Sequence, residues 1–163
     1  MTQPSNRRRI DQINDMWRQD APYSTDPVKL PEEASRTYSD LAKYRDLKTI
    51  EVRRLREMQA DANKFHFRLT KFYRDGVGDM NHPMLVEAKE RGWEIPPGGA
   101  PTVKTDVKHW VDTNPDMVII TLAIAEQNDI VELIDGIISD LKSRPWSIGQ
   151  TMKQVRHNNG SDF

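Results

Sequence analysis

The chain has 163 residues and no cysteine. That absence removes disulfide staples, thiol nucleophiles and thiolate metal sites together, and it suits a reducing compartment. No apolar run approaches the roughly 20 residues needed to span a bilayer. Near its start the sequence reads Asn6-Arg7-Arg8-Arg9, where a secretory leader would carry an apolar segment. The expected setting is cytoplasmic, with neither export nor insertion.

Chemical motifs are scarce too. His66, His82, His109 and His157 are not spaced to share a metal from one helix face or a tight loop. Gly76-Val77-Gly78 and Gly98-Gly99 lack the Lys-Ser/Thr ending of a phosphate loop and the longer glycine fingerprint of a dinucleotide site. Carboxylates are numerous, but solvated helix faces do not set two of them at different pKa values as acid–base catalysis requires. The expectation is a protein that is not an enzyme and uses no metal or cofactor.

What is present is a partitioned charge. The formal net charge is −1. Within it, Lys43 to Arg74 holds 10 basic and 4 acidic residues, and Asp75 to Leu141 holds 4 basic and 13 acidic. A basic tail, with 4 basic residues and 1 acidic, follows from Lys142 to Phe163. Hydrophobic residues make up 36% and charged residues 30%, a lean mixture that favours amphipathic helices in an assembly over a thick self-sufficient core.

The periodicity is helical nearly throughout, and the fold class expected is all-α, with an irregular Pro/Gly-rich connection and association into a helical homo-oligomer. A first helix over about Arg8 to Gln19 carries Ile10, Ile13, Met16 and Trp17 on one side. Two prolines in Ala21 to Pro27 then end it, so that 1–27 reads as a helix and linker ahead of a helical domain over 28–163. Leu30-Pro31-Glu32-Glu33 is a helix start, with proline at the beginning and carboxylates at the positive end of the dipole.

From there a long basic helix over 30–74 meets no further proline or glycine. Leu55, Met58, Ala62, Phe65, Leu69 and Phe72 form a heptad-like seam in its second half. Leu41, Tyr44, Leu47 and Ile50 step by three, which implies a register slip near Glu51 and either a stutter or a bend.

A connection over 75–113 follows, with a short helix near Leu85 to Arg91 and a segment from Val103 to Val111 that reads as a strand or a docking segment. Asn114-Pro115 launches an apolar helix over 115–144, carrying Met117, Ile120, Ile124, Val131, Ile134, Ile138 and Leu141. Pro145 is expected to stop it. A last amphipathic helix over 146–157 presents Trp146, Ile148, Met152 and Val155, ahead of a frayed tail. Ile134, Ile138 and Leu141 with those four are the expected association surface.

On a helical wheel, Arg53, Arg56, Lys64, Arg68, Lys71 and Arg74 fall in a stripe roughly 120° wide opposite the apolar seam. Phe67 lies inside it. Cations that track a backbone, with an aromatic for base stacking, are what sequence-tolerant binding of single strands requires. A basic helical face also occurs simply solvated, or paired with an acidic helix such as Asp116 to Asp140, and composition leaves those readings open.

The run Asn63-Lys64-Phe65-His66-Phe67-Arg68-Leu69-Thr70-Lys71-Phe72-Tyr73-Arg74-Asp75-Gly76 resembles the signature region of the UvsY family, the recombination mediator proteins of large tailed phages. Val111-Asp112-Thr113, then an apolar helix ending Ile138-Ser139-Asp140-Leu141-Lys142-Ser143-Arg144, then a short helix, resembles that family's C-terminal half. With Val28-Lys29-Leu30 these blocks cover roughly two thirds of the chain.

The resemblance implies helical protomers in a ring of six or seven subunits assembled through the C-terminal helices. It implies binding of single-stranded DNA, displacement of a single-strand DNA-binding protein and loading of a RecA-like recombinase, in DNA recombination, repair and replication inside an infected bacterial host cell. The family's two basic motif positions fall on His66 and Arg68; Arg68 keeps the pattern, and His66 departs from it by replacing a lysine-type cation. The alternative is a coiled-coil adaptor or structural protein of a phage that does not bind DNA directly.

Overall fold

Apolar residues recurring every three to four positions have one economical solution, and the regular structure is helical. The computed structural model describes residues 6–26, 28–79, 81–97, 103–158 and 160. These form α1 (Asn6–Asp20), α2 (Leu30–Lys71), a π-helical turn (Phe72–Gly76), α3 (Pro83–Arg91), α4 (Lys104–Asp112) and α5 (Pro115–Asn158), with no strand among the described residues. The all-α expectation holds. Pro27, Met80, residues 98–102 of the connection and most of the tail expected to fray, 159 and 161–163, lie outside the described residues.

Several expectations are corrected. The segment from Val103 to Val111, read as a strand or a docking segment, is no strand: Lys104–Asp112 is the helix α4, which buries Val107 and Val111. The connection thus contains two helices among its described residues. Pro145 does not stop the apolar helix, so 115–144 and 146–157 are one element.

The register slip near Glu51 is also absent. Thr37, Leu41, Tyr44, Lys48, Glu51, Leu55, Met58, Ala62, Phe65 and Leu69 step by four and three in strict alternation, and all are buried or half-buried. Ile50, counted as seam, is 61% exposed, whereas Glu51 is 2% exposed. The seam was unbroken but locally polar. In α5 the same holds: Gln127, Ile130, Ile134, Ile137, Leu141, Arg144 and Ile148 are all buried at heptad steps.

The chain divides into two units, Met1–Arg54 with Glu126–Phe163, and Leu55–Ala125. In the first, Ile13 and Trp17 of α1 pack with Tyr44 of α2 and with Ile130, Ile134, Ile137, Ile138 and Leu141 of α5. Its polar layer joins three helices. Gln127 Nε2 donates to Glu51 Oε2 at 3.0 Å and to Glu51 O at 3.2 Å, and Arg9 Nε donates to Glu51 Oε1 at 2.8 Å. Arg144 donates to the carbonyls of Asp20 and Ala21 at 3.1 and 2.8 Å, placing a cation on the negative end of α1.

In the second unit, Leu69, Phe72 and Tyr73 pack with Met84, Leu85 and Ala88 of α3, Trp93, and Val107 and Val111 of α4. Asn114 Oδ1 accepts from the backbone N–H of Asp116 and Met117 at 3.1 and 3.2 Å, the N-cap read from the sequence. Gly92, at φ 69°, closes α3 with a left-handed cap.

Candidate nucleic-acid interface

The end of α2 is fixed by aromatic packing. Within the π-turn the neighbouring Phe72 and Tyr73 are both buried, at 0% and 1% exposure, because the wider turn lets consecutive side chains face inward. Phe72 meets Trp93 at 6.1 Å and His82 at 5.6 Å between ring centroids. Tyr73 donates its hydroxyl to Glu94 O at 3.2 Å, accepts from Asn114 Nδ2 at 3.3 Å, and stacks on Trp110 of α4 at 6.3 Å. Burial raises its hydroxyl pKa above the ordinary tyrosine value against that Asn114 bond. The rod's end and α4 are therefore tied to one ring.

The residues expected to meet DNA stand on this frame. Arg56, Lys64, His66, Phe67, Arg68, Lys71 and Arg74 are all exposed in the second unit, and Arg53 is exposed in the first. Phe67 is 59% exposed, with the Lys71 ammonium 4.7 Å from its ring centroid. An aromatic left this open in a charged field offers a stacking face.

The stripe's own ion pairs are short-range and mostly exposed. Lys64 pairs with Asp61 one turn earlier at 3.1 Å, with both side chains 77% exposed. Arg74 chelates Asp75, its neighbour in sequence, through bonds of 2.7 to 3.0 Å. The hydrogen bond to Asp75 raises the guanidinium further, and the same bond lowers the Asp75 carboxyl. Arg68 is the most committed, reaching Glu87 of α3 at 3.2 Å. It also lines a hollow of about 540 Å³ with Glu87, Arg91 and Asp116, a mixed-charge surface poorly suited to a polyanion.

His66 does not share the stripe. With Thr70 and Arg74 it lines a groove of about 510 Å³, whose other wall is Val103, Lys104, Val107 and Lys108. Lys104 and Lys108 were missed at the level of sequence. The signal was there, since Val103, Val107 and Val111 step by four, a helical period that sets both lysines beside the valines.

The residues assigned to association divide. Ile134, Ile138, Leu141 and Ile148 are at most 5% exposed and covered by their own chain, Met152 and Val155 are half-buried, and Trp146 is 71% exposed. No group of three or more potential ligands among the described residues is placed to hold a metal, and no helix of those residues is long and apolar enough to cross a membrane.

Fold and surface together define an all-α protein with a cationic, aromatic-bearing helix end. Set against protein-family models, curated proteins and solved structures, the chain matches none of them.

Proposed function

We propose that this chain is a UvsY-like recombination mediator: it binds single-stranded DNA without sequence preference, self-associates in a ring of six or seven subunits, and loads a RecA-like recombinase onto DNA covered by single-strand DNA-binding protein. The observation that carries the reading is Phe67, open to solvent beneath the Lys71 ammonium on a long helix whose cations make mainly local, exposed pairs. Phosphates replace such weak surface partners readily, and an exposed ring accepts any base. Each protomer offers a few contacts, so useful affinity comes from linked copies on one strand.

The test is fluorescence anisotropy of labelled oligo-dT across a salt series. Wild-type binding should fall steeply with salt. Lys64→Glu combined with Lys71→Glu should weaken it at least tenfold while leaving the oligomer intact, and Phe67→Ala should weaken it roughly 5- to 100-fold, the worth of one stacked base. A wild type that does not bind oligo-dT, with charge reversal that dissolves the oligomer, would instead favour the adaptor.

A further inference from the structure

We infer that the groove between the end of α2 and α4 is a second seat for the same strand, with Lys104 and Lys108 as phosphate ligands that draw the DNA off α2 and across to α4. This deepens the single-strand reading and rests on it. Cations stand on both walls: Arg74 from the π-turn, with His66 of α2 beside it, and Lys104 and Lys108 from α4. The hollow of about 510 Å³ is within the range of sites that enclose a small ligand, so it admits a segment of strand and not merely an ion.

Val103, 51% exposed, gives the wall an apolar surface for a sugar or base, and Val107 anchors α4 beneath it at 6%. Lys104 and Lys108 lie one helical turn apart, about 6 Å along the axis, on the scale of one nucleotide step in an extended strand. The acids paired here are Asp75, holding Arg74, and Asp112, holding Lys108, and both are exposed. Phosphate exchanges with such partners at little cost. The groove belongs to the positive end of α4, where Val103 supplies no side-chain cap, so the helix dipole adds to the same field.

The test uses the full chain and labelled oligo-dT over a sodium chloride series, comparing wild type, Lys104→Ala with Lys108→Ala, and a control, Lys89→Ala with Lys142→Ala. The control removes equal charge from exposed positions outside the groove. The groove variant should bind at least tenfold more weakly at moderate salt. Its log–log salt slope should drop by about 1.4, or ~0.7 for each lost phosphate contact on a single strand. The control should keep the wild-type slope.

A groove variant with wild-type affinity and slope overturns the proposal, and if Lys64→Glu with Lys71→Glu still weakens binding at least tenfold, the parent reading survives. Equal losses in groove variant and control also overturn it, since the effect is then net charge alone. Failure of the wild type to bind oligo-dT at low salt overturns both.

Discussion

Gly76 is held to glycine by the ring beside it. A methyl at that position would stand 2.9 Å from His82 Cδ2 and 3.0 Å from its Cγ and Nε2. His82 has little room to yield, because its Nδ1 accepts the Met84 N–H at 3.2 Å to cap α3 and its ring lies on Phe72. Gly76→Ala should therefore cost about 1–3 kcal/mol, read as a lower urea midpoint at unchanged slope. Gly78→Ala, with nothing within 4 Å of the new methyl, is the matched control.

Asp40 carries a different strain. Burial raises its carboxyl, and the nearby negative charge of Asp20 raises it further, against Arg36, Lys43 and Arg144. A carboxyl raised on folding keeps its proton where the unfolded chain has lost it, so its ionisation removes stability as pH climbs from the ordinary carboxylate value through the folded one. Asp40→Asn should raise the melting temperature at pH 7 by about 2–4 °C, and the gain should vanish in acid. Asp20 behaves oppositely. Burial pushes its carboxyl up, but the bonds from Lys43 and Tyr44 prevail and lower it, so its contribution is lost as pH falls through the folded value.

At the scale of the element, Pro145 sits inside α5, where it withholds an N–H from the Leu141 carbonyl and crowds it. The helix continues because it is anchored on both sides of the proline. Arg144 is bonded to Asp20 O and Ala21 O and lies over Trp17 at 4.9 Å, and Ile148 is 3% exposed. Pro145→Ala should stabilise the chain by up to ~3 kcal/mol, with slower amide exchange over 141–149; a loss of stability would mean that the ring's shape is itself required. The stop expected at Pro145 thus failed because a local rule met long-range packing. Helix starts, by contrast, were legible at Leu30-Pro31-Glu32-Glu33 and Asn114-Pro115, where the deciding groups are adjacent in sequence. Glu51, Gln127 and Arg144 hid the seams because an apolar periodicity cannot register a buried polar layer. The exposed stripe and Phe67 were legible as one face of one helix. Lys104 and Lys108 were not joined to it, because the meeting of α4 with α2 depends on Tyr73, Trp110 and Asn114, contacts that no periodicity encodes.

At the scale of the whole molecule, the near-neutral total charge conceals opposed segments, and the surface left open bears on how copies would meet. From Ile130 to Leu141 the apolar residues of α5 are buried or half-buried within a single chain, so an assembly surface is sought outside that stretch, where Trp146 is the most exposed of the large apolar side chains of α5, ahead of Ile119 and Leu122 at 63% and 60%. Trp146, 71% exposed, is the most accessible of the 4 tryptophans, since Trp93 is 5% exposed and Trp17 and Trp110 are half-buried. In the proposed ring an indole this open would serve as an interface anchor. Under the proposed assembly, acrylamide quenching of tryptophan fluorescence should weaken as protein concentration rises, and Trp146→Asp should abolish that dependence and shift the native mass to smaller species. The same variant should lose affinity for long oligo-dT by at least tenfold and keep it for a strand short enough to engage one protomer, because only linked sites gain from assembly. If the mass is unchanged, Trp146 lies outside the interface. If the mass falls and the long strand still binds as before, a single protomer supplies the affinity without help from its neighbours.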